Sequence, residues 1–265
     1  MHHRTGFAAV LALAILAAAP ARAAECPAPD PVPLVALLLP PPADGSEESV
    51  AELHELQAID AARTPEQAQH AADDYHRTLE RFLAGMGITL SGKPAVALAF
   101  FKCIGEAAEQ AVDVAKTKFN RTRPYKYPNN GLHILKSVTA DDAPSYPSGH
   151  SAYGMAVGLV LAAMLPEKAP EIMRRIEDFG ISRLVSGVHF RSDVYAGEIA
   201  GAAIAAAYFK DAAFRDAFAK AKDDLRKALG YHQAVRSCIG ARAGRSRCPP
   251  CPRQRHEGGH CGRSG

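Results

Sequence analysis

Apolar residues along most of the chain recur at helical rather than alternating spacing. From Glu47 to about Ala84, Ala, Leu, Glu and Gln dominate, and a break at Thr64-Pro65 predicts two helices. Ser46 is a plausible cap for the first of them. Another helix is predicted from about Pro94 to Asn120. With little alternating β pattern and no internal repeat, the chain is predicted to be an all-α, single-domain helical bundle.

Two later apolar runs are rich in small residues, namely "YGMAVGLVLAAML" and "VYAGEIAGAAIAAAYF". Each is too short, or too interrupted by Glu198, to span a bilayer, which takes about 20 apolar residues. We therefore predict central core helices that pack closely through Gly and Ala. The segment "PAPDPVPLVALLLPPPADGS" has too many prolines for a continuous helix and predicts an extended entry into the domain.

The N-terminus is typical of a secretory signal peptide. Arg4 precedes an apolar stretch from Phe7 to Ala19, and "ARA" offers the small residues that signal peptidase requires, which predicts cleavage after Ala23. A membrane anchor is the alternative, but the apolar stretch is too short. We expect residues 1–23 to be removed and the mature protein to be soluble and periplasmic or secreted.

The C-terminal segment differs in composition from the rest of the chain. From about Arg236 the sequence consists mainly of Arg, Gly, Pro and Cys, which cannot bury a core. Ligand types for zinc stand close together here, but a second well-spaced ligand pair is not clear; they are Cys248, Cys251, His256, His260 and Cys261. We predict a disordered or disulfide-tied tail over residues 236–265, no metal site, and one domain over residues 24–235.

Composition limits the classes of partner. With 265 residues and 48% hydrophobic content, the chain can bury a sizeable core. A net charge of +3, part of it in the tail, gives no extended basic surface for nucleic acid, so attraction for anions should be local. Export would allow the six cysteines to form disulfides, whose pairing the sequence does not define.

Two segments offer groups that bind anions. "KTKFNRTRP" places Lys116 two helical turns before Arg123, so both side chains could project from one helix face, with Pro124 ending that helix. In "PSGH", Gly149 permits close backbone approach, and the helix that follows directs its free amides and positive dipole end toward an anion. Ser148 can add a hydroxyl donor. A nucleophilic serine would need the pattern G-x-S-x-G, so this serine is better placed to hold than to attack.

The segment "SRLVSGVHFRSD" supplies the third group of functional side chains. Arg183 is a bidentate ligand for an oxyanion, and His189 follows six residues later. Asp193 lies at a helical i+4 interval from His189, where a carboxylate can orient the imidazole.

Together the segments match K-x6-RP, PSGH and SR-x5-H-x3-D, and the chain resembles the type 2 phosphatidic acid phosphatase superfamily. Over roughly residues 30–225 it looks most like the bacterial class A nonspecific acid phosphatases. The resemblance implies an all-helical fold and metal-independent hydrolysis of small phosphomonoesters without a cofactor. It also implies an acidic pH optimum, no stable membrane insertion, and homodimers in keeping with the family.

The resemblance also assigns roles to the residues. It implies that His189 attacks phosphorus, that Asp193 orients the ring, and that His150 protonates the departing alcohol and then activates water. Phosphate binding falls to five residues, which are Lys116, Arg123, Ser148, Gly149 and Arg183.

Three other functions share parts of this pattern. Vanadium haloperoxidases hold vanadate in the same pocket but are typically longer, and membrane lipid phosphatases need several spanning helices. A non-catalytic phosphate-binding protein would have no need for both His150 and His189 with Asp193. The substrate remains open among nucleotides, sugar phosphates, phytate-like esters and lipid phosphates.

Overall fold

The computed structural model of the chain describes residues 30–135 and 143–231. Within these residues all regular secondary structure is helical, which confirms the predicted all-α class. The helices are α1 (Leu34–Leu37), α2 (Glu47–Ala62), α3 (Pro65–Asp73), α4 (Leu79–Ala84), α5 (Ala95–Phe119), α6 (Gly149–Met164), α7 (Ala169–Val185), α8 (Arg191–Lys210) and α9 (Ala212–Ala228). Two 3-10 turns occupy Pro124–Lys126 and Pro166–Lys168.

The second of the two helices predicted between Glu47 and Ala84 is in fact divided into α3 and α4. Ser46 caps α2 as predicted, since its side chain accepts a hydrogen bond from the Ser49 amide. After α3, the buried Asp74 is held by ion pairs, and Thr78 caps α4 by accepting from the Arg81 amide. These interactions favour a loop over residues 74–78, which borders the cavity described below.

The proline-rich entry segment is extended only in part. Its Leu34–Leu37 stretch forms the single turn α1, and Leu34 and Leu38 are buried in the main core. Burial of these two leucines explains why the segment folds onto the bundle despite its prolines.

Helix α6 lies at the centre of the core, where it packs against α5, α7 and α8. The two glycines of α8 that face α6 permit a close approach of the two backbones. A methyl group on Gly197 would lie 2.8 Å from Ser151 Cβ, and one on Gly201 would lie 2.8 Å from Met155 Cβ. The predicted packing of the two small-residue runs is therefore confirmed.

Several predictions concern residues outside the described ranges. They include the signal peptide, the tail and five of the six cysteines; Cys103 lies on α5. Over the described residues, no helix is long and apolar enough to cross a bilayer.

Candidate active site

A cavity of about 820 Å³ opens between α5, the α3–α4 loop, the start of α6 and the end of α7. The three sequence segments converge there although they lie far apart in the chain. The predicted site residues that line the cavity are Lys116, Arg123, Gly149, His150, Arg183 and His189.

Lys116 and Arg123 reach the cavity by a route that differs from the prediction of one shared helix face. Helix α5 ends at Phe119, where Asn120 adopts a left-handed conformation with φ of 47°. Pro124 therefore begins a 3-10 turn and does not end the helix, and Arg123 stands in extended backbone. The chain reversal at Asn120, the kind of left-handed cap that asparagine tolerates, brings the two cations together.

Both cations also anchor the segment that precedes α6. The ammonium of Lys116 donates to the carbonyl of Pro144, and Arg123 Nε donates to the carbonyl of Ala143 at 2.8 Å. Residues of the first segment thus position the "PSGH" segment, whose Tyr146-Pro147 peptide bond is cis.

The hydrogen bonds of His189 define its tautomer. Arg123 Nη1 lies 3.1 Å from His189 Nε2, and arginine can only donate, so Nε2 carries the lone pair. The ring proton then resides on Nδ1, which lies 3.3 Å from Asp193 Oδ2. Nε2 therefore lies beside the cationic group of Arg123 while the carboxylate holds the opposite side of the ring.

Asp193 orients His189 without the helical i+4 geometry predicted for the pair. His189 precedes α8, and Asp193 lies in the first turn of that helix. Its Oδ2 accepts from the Phe190 amide at 2.8 Å, which is an N-terminal capping interaction. The carboxylate therefore caps the helix and orients the imidazole at the same time.

His189 is buried among positive charges. Burial lowers its pKa well below the ordinary histidine value, and Arg123, Lys116 and Arg183 lower the pKa further. The ring is consequently neutral in the free protein, which is the form that carries a nucleophilic lone pair.

Arg183 is the strongest indication of an anion site. Its side chain is 2% exposed, and the described residues provide no hydrogen-bond partner for its Nε and Nη1. Burial, Arg123 and Arg77 lower its pKa to about 9, so the guanidinium is still charged at neutral pH. A buried cation with unused donors is costly unless an anion supplies the acceptors.

The "PSGH" residues have different roles at the start of α6. The hydroxyl of Ser148 caps the helix by accepting from the Ser151 amide at 3.3 Å, and the side chain is fully buried. Gly149 borders the cavity, where the first amides of α6 are suited to an anion. Ser148 does not border the cavity, and its contact with phosphate stays a prediction.

His150 lies half-buried on the cavity wall. Its Nε2 is 3.0 Å from the carbonyl of Tyr75, which can only accept, so Nε2 is protonated and Nδ1 bears the lone pair in the neutral ring. The ring stacks on Phe179 with centroids 6.3 Å apart. Burial, Arg183 and Arg77 lower the pKa of His150 well below its ordinary value.

Two further arginines near the site, Arg77 and Arg121, are not among the residues that the motif specifies. Arg77 lines the cavity from the α3–α4 loop and pairs with Glu109 of α5 at 2.7 Å. The pattern placed Arg77 inside a helix and gave no signal for it. Arg121 stands two residues before Arg123 in "KTKFNRTRP". As an additional cation within this segment, it could have been recognised as a candidate from the sequence.

A buried ion-pair network supports the cavity from behind and explains Ser182 of the motif. Asp74 is fully buried and accepts from Arg175 Nη1 at 2.9 Å and from Ser182 Oγ at 2.7 Å. The network joins the α3–α4 loop to the turn of α7 that carries Arg183. Arg175 also pairs with Asp178 at 2.8 Å, so this arginine joins two carboxylates.

The fold and the site together define a helical protein that places a neutral histidine and buried cations around one anion pocket. Residues 94–216 match the PAP2 superfamily, and the chain belongs to it. An acid phosphatase from Zymomonas mobilis is 31% identical over 72% of this chain and 75% of its own length. A non-specific acid phosphatase from Providencia stuartii is 31% identical over 73% and 81%. The prediction of an acid phosphatase is thus confirmed.

A solved structure shows a more distant likeness. The transmembrane PAP2 type phosphatidylglycerolphosphate phosphatase from Bacillus subtilis has a TM-score of 0.46 and 19% identity, covering 65% of this chain and 87% of that chain.

Proposed function

We propose that this protein is an exported, metal-independent phosphatase that hydrolyses small phosphomonoesters through a phosphohistidine at position 189. One observation carries the proposal: the Nε2 lone pair of a buried, neutral His189 lies 3.1 Å from the cationic Arg123, with Asp193 on the opposite nitrogen. When a phosphate oxygen accepts the Arg123 N–H in place of Nε2, this lone pair is free to attack a phosphorus atom whose oxygens are bound by the neighbouring cations.

In the first step, His189 Nε2 attacks phosphorus, a P–N bond forms, and the P–O bond to the alcohol breaks. His150 donates a proton to the departing oxygen, so the product leaves as a neutral alcohol. Lys116, Arg123 and Arg183 bind the phosphoryl oxygens and stabilise the charge that shifts among them. These side chains and the α6 amides supply the positive charge, so we expect no metal to be required.

In the second step, water attacks phosphorus and the P–N bond breaks. His150, which is neutral after the first step, accepts a proton from this water, and inorganic phosphate leaves. His189 recovers its lone pair, and Asp193 has kept the Nδ1 proton in place throughout.

The proposal implies activity at acidic pH. In the free protein, burial and the nearby arginines lower the pKa of His150, whereas the first step needs this ring protonated. A bound phosphate group brings negative charge that raises the pKa again, and lower pH favours the protonated complex. We therefore expect kcat to rise as the pH falls below neutrality.

The test combines a turnover assay with a trapping experiment. A chromogenic aryl phosphate should be hydrolysed equally with and without EDTA, while vanadate with bromide and peroxide should give no halogenation. Rapid quench at alkaline pH, where phosphohistidine survives, should show by mass spectrometry one phosphoryl group on His189. A phosphoryl group on Ser148 or His150 would contradict the assignment, and halogenation in place of hydrolysis would favour the haloperoxidase alternative.

Export is a separate part of the proposal and rests on the sequence of residues 1–23. Expression of the full chain in a Gram-negative host, followed by N-terminal sequencing of the periplasmic protein, should give Ala24 as the first residue. A cytoplasmic protein that retains Met1 would contradict export and leave the phosphatase proposal intact.

A further inference from the structure

A buried chain of alternating charges extends from α2 to His189. Glu52 Oε2 accepts from Arg121 Nη2 at 2.7 Å, and Arg121 Nη1 donates to Asp193 Oδ1 at 2.8 Å. Asp193 Oδ2 in turn lies 3.3 Å from His189 Nδ1. The side chains of Arg121 and Asp193 are 2% and 0% exposed, so water does not screen this chain.

Arg121 is held on several sides. Besides its two carboxylate partners, Nη1 donates to Ser192 Oγ at 2.7 Å, and the guanidinium lies 4.1 Å from the centre of the Phe190 ring. Burial lowers its pKa, but Asp193 and Glu52 raise it more, so the group stays charged. A fork fixed in this way defines where Asp193 Oδ1 must lie.

Both oxygens of Asp193 are consequently constrained. Oδ1 accepts from Arg121, while Oδ2 accepts from the Phe190 amide, from the hydroxyl of Ser145 and from the imidazole. Among the described residues, Arg121 is the cation paired directly with this carboxylate. Its charge offsets part of the negative charge that Asp193 presents to His189.

We propose that Arg121, held in place by Glu52 of α2, is a positioning residue that fixes Asp193 and limits how strongly its charge acts on the attacking histidine. This inference rests on the proposed phosphohistidine mechanism. Neither residue belongs to the three-part motif, and Glu52 precedes the residues 94–216 that match the superfamily. Helix α2 therefore belongs to the functional unit although it lies outside the matched segment.

The charges around His189 define the direction in which its pKa moves when Arg121 or Glu52 is replaced. His189 faces Lys116 of α5, Arg123 of the following loop, Arg183 of α7 and Asp193 of α8, and it interacts with His150 of α6. If Arg121 is removed, Asp193 acts on His189 with less compensation, which raises the pKa of the imidazole. The acidic limb of the kcat/KM profile is the part in which activity falls as the pH decreases. It then moves to higher pH, because protonated His189 cannot attack.

Removal of Glu52 has the opposite effect. In Glu52→Gln the guanidinium of Arg121 is no longer neutralised and offsets Asp193 more completely. The pKa of His189 falls, and the acidic limb moves to lower pH. A purely structural contact would not produce shifts of opposite direction in the two variants.

The experiment measures kcat and KM of an aryl phosphate from pH 4 to pH 8 for the wild type, Arg121→Met, Arg121→Lys and Glu52→Gln. We expect Arg121→Met to lower kcat by about 100-fold, the loss that follows a misplacement of about 1 Å, with little change in KM. Its acidic limb should move up by about half a pH unit or more, because the pKa of His189 rises when Asp193 loses its paired cation. Arg121→Lys should recover part of kcat.

Arg191→Met is the matched control. Arg191 pairs with Glu55 at 2.6 Å and so links the same two helices, but both side chains are partly exposed and neither touches Asp193. This variant should keep the wild-type kcat and pH profile. Circular dichroism of every variant identifies those that fold. If Arg121→Met does not fold, the pH profile of Glu52→Gln tests the proposal.

The outcomes separate this inference from the function on which it rests. Acidic limbs that coincide in wild type and in the folded Arg121 and Glu52 variants would overturn the positioning role. Wild-type protein without phosphatase activity, or without a phosphoryl group on His189, would instead overturn the proposed mechanism.

Discussion

The packing of α6 on α8 permits a quantitative test, because it couples the stability of the core to the geometry of the site. In Gly197→Ala, the added methyl group would lie 2.8 Å from Ser151 Cβ and 3.2 Å from the Ala152 amide nitrogen, and closer still to the Ser148 carbonyl oxygen. Two of these atoms belong to the backbone at the start of α6, so they cannot move aside as a flexible side chain would. The helices must separate where α8 carries Asp193.

Overpacking of this kind costs about 1–3 kcal/mol. For a domain of this size, each kcal/mol corresponds to about 2–4 °C in Tm. A displacement of about 1 Å between the start of α6 and His189 would also lower kcat by about 100-fold. We therefore expect Gly197→Ala to lose both stability and turnover, measured by thermal unfolding and by aryl phosphate hydrolysis.

Gly201→Ala is the matched control for position along the helix. Its methyl group would lie 2.8 Å from Met155 Cβ and 3.0 Å from the Ala156 amide nitrogen, a similar clash one turn farther from the site. It should lose comparable stability but much less kcat. Gly92→Ala, whose methyl group would meet no atom within 4 Å, should change neither quantity appreciably. Equal losses of kcat in Gly197→Ala and Gly201→Ala, or none in either, would refute the coupling of this packing to catalysis.

Three further predictions concern the two histidines. His189→Ala should abolish turnover but still bind vanadate in calorimetry, because Lys116, Arg123 and Arg183 remain; wild-type kcat would exclude His189 as nucleophile. His150→Ala should lower kcat for alkyl phosphates by about 100-fold or more and for good aryl leaving groups much less, because only the former need a proton; equal losses would argue against an acid role. The pKa of each of these two histidines is lowered in the folded protein. Below the ordinary histidine pKa of about 6.5, the unfolded chain therefore binds more protons than the folded protein. The folded protein loses stability as the pH falls below that value. The Tm of the wild type should therefore decrease from pH 7.5 to pH 5, and the Tm of the double variant His150→Gln/His189→Gln should decrease less. An equal decrease in both proteins would contradict the lowered pKa values of the two histidines.

Local sequence was sufficient to predict most of the helices. The break at Thr64-Pro65, the cap at Ser46 and the small-residue runs depend on neighbours within a few residues, where backbone propensity and capping act. The resemblance to the three-part motif predicted that His150, His189 and the cations share one site, and all of them line the cavity.

Tertiary structure determined the features that depend on pairing across the chain. The loop between α3 and α4 is stabilised by Asp74 and Arg175, which lie 101 positions apart, in addition to the local cap that Thr78 gives α4. The reversal at Asn120 brings Arg123 to the cavity from outside the helix that was expected to carry it. Buried ion pairs take their strength from removal of water, which occurs only after the elements have packed.

From the sequence alone came a set of candidate groups for phosphate chemistry, because residue types and spacing match a known motif and the resemblance implies the nucleophile, acid and cations. Only the folded structure decided which nitrogen of His189 carries the lone pair, because that depends on Arg123 on one side of the ring and Asp193 on the other. Only the folded structure brought Glu52 to Arg121, across 69 positions, so that a helix outside the motif is joined through Arg121 to Asp193, the partner of His189. Hydrogen-bond direction and charge compensation are properties of the packed interior, where each donor has a fixed partner, and no local pattern encodes them.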